Sequence, residues 1–140
     1  MKPFLLFLFM VLTSKIFSQE WIYVGQDIKG NKTYCQSQYV SKGGNFGNEN
    51  IYKVWTKKVC KSTFIYKNGK NVAVNNVYIL CLSEYDCSEK REKIIYTSTY
   101  NVNGNLITSY KVPEYLQEWD EIVPESIGKA IINKICELFN

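Results

Sequence analysis

The chain has 140 residues, with 46% hydrophobic, 21% charged and 15% aromatic side chains. That length supports one ordinary domain, and the apolar fraction excludes wholesale disorder. There is no histidine, so a Ser-His-Asp triad, a Cys-His dyad and a histidine-bearing zinc site are excluded at once.

Residues 1–18 read as a secretory leader, not as part of the fold. Lys2 gives a positive start, Phe4 to Leu12 is an unbroken apolar run, and Thr13 to Ser18 is a more polar stretch ending in a small residue. The run is too short for a membrane span, which needs about 20 residues. Cleavage is expected after Ser18, which leaves a single domain over residues 19–140. The first cysteine is Cys35, so no lipid-attachment cysteine stands near the cleavage point. Loss of Lys2 and Lys15 takes the 17 basic residues to 15 against 13 acidic ones, a net charge of +2. That is too little to imply nucleic acid or an anionic membrane as partner. The charges are unevenly placed, however. Between Asn50 and Ser83 there are six lysines and no acid, and between Val112 and Gly128 five acids and no base. Such runs are solvated faces in most proteins, or else patches that orient a partner or meet in self-association.

In chain order, Glu20–Gln26, Lys32–Val40, Ile51–Val59, Val77–Cys87, Lys93–Val102 and Asn105–Val112 are six strand candidates, rich in β-branched and aromatic residues. Ser41 to Asn48 holds three glycines and is a loop. It lacks the Lys-Ser/Thr ending and following helix of a phosphate loop. The apolar core of the fourth candidate, Tyr78 to Leu82, predicts a strand buried on both faces. In the fifth, alternation predicts Ile94, Tyr96, Ser98 and Tyr100 on one side. Asn103-Gly104 predicts a type I′ hairpin turn, and Asn68-Gly69 a small extra hairpin between Phe64–Tyr66 and Val72–Val74. The period then changes. Pro124 suits a first helical position, and the apolar residues from Ile127 to Phe139 gather on one half of a helix of about four turns. Its apolar half needs a surface to cover, and the sheet is the candidate.

Five cysteines remain after export, Cys35, Cys60, Cys81, Cys87 and Cys136. None has CxxC spacing, so structural bridging in an oxidising compartment is the default over redox or metal chemistry. The odd number leaves at least one thiol free, either buried or linking two chains. Cys35 with Cys60 is a conceivable second bridge if their strands are neighbours, and Cys81, inside the apolar strand, is the expected free thiol. Glu84, Asp86, Glu89 and Glu92 could in principle supply a carboxylate pair for hydrolysis. Beside Lys90, Arg91 and Lys93 they read better as a solvated strand end. The sequence therefore offers no catalytic, cofactor-binding or metal-binding residue. Eleven tyrosines and three tryptophans suit a binding surface, although strand propensity alone would also place them.

Several of these elements together resemble the surface-adhesin protein E-like family of small exported bacterial domains. They are Trp21 in the first strand, Val54-Trp55 in the third, the Glu84-Tyr85-Asp86-Cys87 segment, Gly104, the Trp119, Ile122, Pro124, Ser126 pattern before the helix, and Cys136. The resemblance implies an α+β fold: an antiparallel meander of about six strands with a C-terminal helix packed on it, tethered by a Cys87–Cys136 disulfide. It also implies a non-enzymatic, adhesin-like role at the surface or in the periplasm, with a protein partner and possible self-association to a homodimer. The missing lipid-attachment cysteine, the extra cysteines and the segment around Asn68-Gly69 depart from that pattern.

Overall fold

The computed structural model describes residues 20–43 and 50–140. The expected leader, and most of the glycine-rich loop, lie outside the described residues.

Eight strands form one antiparallel sheet: β1 (Trp21–Gln26), β2 (Lys32–Gln36), β3 (Ser41–Lys42), β4 (Ile51–Lys67), β5 (Lys70–Asp86), β6 (Arg91–Asn101), β7 (Leu106–Lys111) and β8 (Asp120–Glu121). The main path is the meander β1-β2-β4-β5-β6-β7, with β3 on β4 and β8 on β6. The helix α1 (Ile127–Phe139) closes the chain. The α+β architecture expected from the resemblance is thus what the chain adopts.

The hairpin expected at Asn68-Gly69 forms, and the turn at Asn103-Gly104 is of another type than expected. Asn68 and Gly69 both take positive φ, 52° and 76°, between the paired Lys67 and Lys70. This is the type I′ geometry, and it caps two continuous 17-residue strands where a separate small hairpin was expected. At Asn103-Gly104 only Gly104 is left-handed, at φ 82°. The Gly104 N–H donates to the Asn101 carbonyl (3.0 Å), and Asn101 Oδ1 accepts from the N–H groups of Asn103 and Asn105. This arrangement matches a three-residue loop ending in a left-handed glycine.

A register shift also reassigns part of β6. Ser83 faces Ile94 while its neighbour Leu82 faces Tyr96, so one extra residue sits in β6. Ile94 therefore lies on the opposite face from Tyr96, contrary to simple alternation. Ile95, at the irregularity, accepts a hydrogen bond from Val112 N–H (2.9 Å) through its carbonyl.

The core lies on one face only. Cys35, Tyr52, Val54, Tyr85, Ile132 and Ile135 are buried together, with Ile22, Val24, Ile122, Ile131 and Phe139 packed around them. Ser126, not Pro124, starts the helix: its Oγ accepts from Lys129 N–H (3.2 Å). The helix lies over β1 and β2. A methyl group at Gly25 would sit 3.2 Å from Ile127 Cδ1, so the small residue in β1 permits this close approach. At the other end, Tyr52 Oη donates to the Phe139 carbonyl (2.8 Å), and the Tyr39, Tyr52 and Phe139 rings cluster at 5.3–5.4 Å.

Because the core under α1 takes in β5 only at Tyr85, Tyr78 to Leu82 in the central β5 are half-buried, not buried on both faces. Past the helix, the far part of the β4–β5 hairpin brings Phe64, Ile65 and Tyr66 towards Ile79, Thr97, Thr99 and Tyr110, leaving a groove of about 520 Å³ between them. The ladder lacks a pair at Lys61 and Asn76, where Asn76 takes φ 51°.

Candidate binding face

The segment Glu84-Tyr85-Asp86-Cys87 builds the joint between sheet and helix. Tyr85 points into the core and is fully buried. Burial first, and then the charge of neighbouring Glu92, pushes its phenol well above the usual range, so it stays neutral. Asp86 is also fully buried. Its Oδ1 accepts from the N–H groups of Ser88 (3.0 Å) and Glu89 (3.1 Å), and its Oδ2 accepts from Arg91 Nε (3.2 Å) and Nη2 (3.1 Å). A buried carboxylate costs stability unless it is paired and hydrogen-bonded, and here both conditions hold. The result is a fixed β5–β6 turn that presents Cys87 to the helix.

Cys87 is bonded to Cys136, with their Cα atoms 5.7 Å apart. The second bridge considered from sequence does not form, since Cys35 and Cys60 are both free. Cys35 stands opposite Thr56, so Cys60 is four residues further along β4, about 13 Å at strand rise. A disulfide needs Cα atoms within about 7 Å. Cys81 is free, as expected, and contacts Ser83 Oγ at 3.3 Å. Burial pushes its thiol up to about 11.

Two of the four acids weighed for hydrolysis are engaged elsewhere. Asp86 holds the turn, and Glu84 is bridged by Lys93 Nζ (2.6 Å) and Lys53 Nζ (3.9 Å). Among the described residues no cluster of three potential metal ligands occurs, and no helix is long and apolar enough to cross a membrane.

The feature left over is the sheet face opposite the helix. Strand register arranges it in rows. Trp55, Leu82, Tyr96 and Lys111 are lateral neighbours across β4 to β7. Tyr23, Tyr34, Lys57, Leu80 and Ser98 form the next row. Lys32, Val59, Tyr78, Tyr100 and Leu106 form a third, and Lys53, Glu84 and Lys93 a fourth. The rings contact one another in pairs: Trp55 with Tyr96 edge-on (5.9 Å), Tyr78 stacked on Tyr100 (5.1 Å), and Tyr23 edge-on to Tyr34 (5.6 Å). Cations sit over rings as well. Lys57 Nζ is 4.8 Å from the Tyr78 centroid and 5.7 Å from Trp21, while Arg91 and Lys93 both lie about 5 Å from Trp119.

Sequence reasoning noted the aromatic excess but not this grid. Parity within each strand was legible, whereas the lateral rows required the register and the extra residue in β6.

A meander sheet that is packed on one face by a disulfide-tethered C-terminal helix and, among the described residues, bare on the other defines a small α+β domain with a single-sided core. The chain belongs to the surface-adhesin protein E family, whose model matches residues 21–137 of the 140. No curated relative and no solved structure matches the chain. Membership points to an exported or cell-surface, adhesin-like protein with a non-enzymatic role.

Proposed function

We propose that the chain is an exported bacterial binding module that presents the open sheet face to a protein partner of the envelope or of a host. In this reading residues 1–18 are removed on export and residues 19–140 act as one domain. The observation that carries it is the aromatic grid, half-buried rings interleaved with lysines and covered by no element among the described residues. Rings of this kind supply rigid, amphipathic contact area at low entropic cost, and extended apolar faces on soluble domains mark interaction sites.

The test compares the wild-type domain with Trp55→Ser and Tyr96→Ser in pull-downs from envelope and host extracellular fractions. A partner retained by the wild type and lost from both variants supports the reading. Retention of nothing above background counts against it.

A second reading is self-association. β7 is paired only with β6, so its outer edge is unpaired among the described residues, and Tyr110 and Leu106 on it are exposed. A concentration-dependent dimer in sedimentation velocity, abolished by Ser109→Pro, whose N–H faces away from β6, would favour this reading.

A further inference from the structure

Some lysines of the sheet are paired with acids, and three of the unpaired ones share a groove. Lys53 and Lys93 meet Glu84, and Lys58 Nζ lies 2.9 Å from Asp27 Oδ2. Lys32, Lys57 and Lys61 have no carboxylate partner among the described residues, yet all three line one groove of about 490 Å³. Lys32 is the direct cross-strand partner of Val59, and Lys57 and Lys61 stand two residues to either side of Val59 on β4. Tyr78 and Val102 also line the groove, as do the nearly fully buried Cys60 and Val77. No acid lines it.

Three lysines that line one groove with no acid beside them give it a positive field, which favours an anion there. The lysine stems and the apolar lining favour hydrocarbon. Lys57 is already held over the Tyr78 ring, so less side-chain freedom is lost when it meets an anion. The volume lies within the range of about 300–1,000 Å³ typical of small-molecule sites.

We propose that this groove binds an anionic amphiphile. A carboxylate, sulfate or phosphate head would be held by Lys32, Lys57 and Lys61, with its apolar body against Val59, Tyr78 and Val102. The site rests on its own lining, so the failure of the protein-docking reading leaves it standing.

The experiment is isothermal titration calorimetry on the disulfide-intact domain with decanoate kept below its micelle concentration. Decyl maltoside serves as the neutral counterpart and acetate as the bare head. Saturable 1:1 binding of decanoate is expected, with decyl maltoside and acetate each at least about tenfold weaker. Lys57→Gln and Lys61→Gln should each weaken decanoate binding about fivefold, with circular dichroism unchanged. Lys111→Gln, in β7 outside the groove, should leave it unchanged. Cosedimentation with phosphatidylglycerol vesicles but not with phosphatidylcholine vesicles assigns the head to a membrane lipid. Decanoate binding without vesicle binding assigns it to a free amphiphile. Either pattern supports the proposal. Equal binding of decyl maltoside, indifference to both lysine variants, absence of saturable binding by any anionic amphiphile, or equal affinity for hexaglutamate overturns it.

Discussion

Removing the covalent tether between sheet and helix should cost the domain a large share of its stability. The perturbation is Cys87→Ala with Cys136→Ala. The bridge closes a sequence separation of 49 residues. In the chain-entropy model, that closure withdraws about 4 kcal/mol of conformational freedom from the unfolded chain. A domain of this size is stable by about 5–15 kcal/mol in all, so the loss is a large share of the total. The effect acts mainly on the unfolded state, because the folded helix keeps its other contacts. Ile132 and Ile135 remain in the core, and Tyr52 still holds the Phe139 carbonyl. The native circular dichroism spectrum of the variant should therefore match the parent. Urea unfolding followed by tryptophan fluorescence should show the midpoint falling by about 2 M, from 4 kcal/mol and a slope of about 2 kcal/mol/M. A loss below about 1 kcal/mol would refute the reasoning, because it would mean that helix and sheet remain associated in the denatured chain without the bridge.

Three further outcomes can be checked on the same material. Ile132→Ala empties a fully buried position under the helix and should destabilise the domain by about 2–5 kcal/mol in the same urea assay. Asp27 accepts from Asn31 and pairs with Lys58, and these contacts hold its carboxyl well below the usual range. A depressed folded value gives stability that is present above the unfolded value of about 3.9 and lost as pH falls below it. Asp27→Asn should therefore flatten the dependence of the urea midpoint on pH in the acid range, and an unchanged profile would contradict this. Cys81, with its thiol at about 11, should alkylate in the folded protein along a pH profile displaced upward from that of a free cysteine. Because that value is raised, the contribution to stability is present below the unfolded thiol value of about 8.5 and is lost as pH climbs towards 11.

Where local chemistry decides the structure, the sequence was legible. The apolar half of Ile127 to Phe139 required a covering surface, and the helix occupies almost the residues that its period predicts. The strand from Lys32 begins where the turn residues Asp27 to Asn31 end. Cys87 and Cys136 could be paired only through resemblance, since spacing leaves the partners of five cysteines open. What could not be read depends on neighbours. Cys35 and Cys60 do lie on adjacent strands, but the register sets them four residues out of step. The type I′ turn formed at Asn68-Gly69 and not at Asn103-Gly104, because the Asn101 side chain stabilises a longer loop through two backbone N–H groups. Ile94 crossed to the helix side because of one extra residue in β6, which period-two counting has no means to detect.

The single-sided core and the open face have one cause. A helix of 13 residues is about 20 Å long and covers one face, over β1 and β2 and the Tyr52, Val54 and Tyr85 ends of β4 and β5. Among the described residues no second layer covers the opposite face, and the Cys87–Cys136 bridge adds stability without covering sheet surface. The face that stays bare would invite aggregation if its rings formed one unbroken apolar patch. They do not: Lys57 stands between Trp21 and Tyr78, and Lys93 lies against Trp119 while also holding Glu84. Each lysine covers ring surface with its stem and keeps its charge near solvent. Those same cations limit what can dock there. An approaching surface has to satisfy ammonium groups as well as ring faces, which favours partners that carry acidic groups beside apolar ones over purely hydrophobic surfaces.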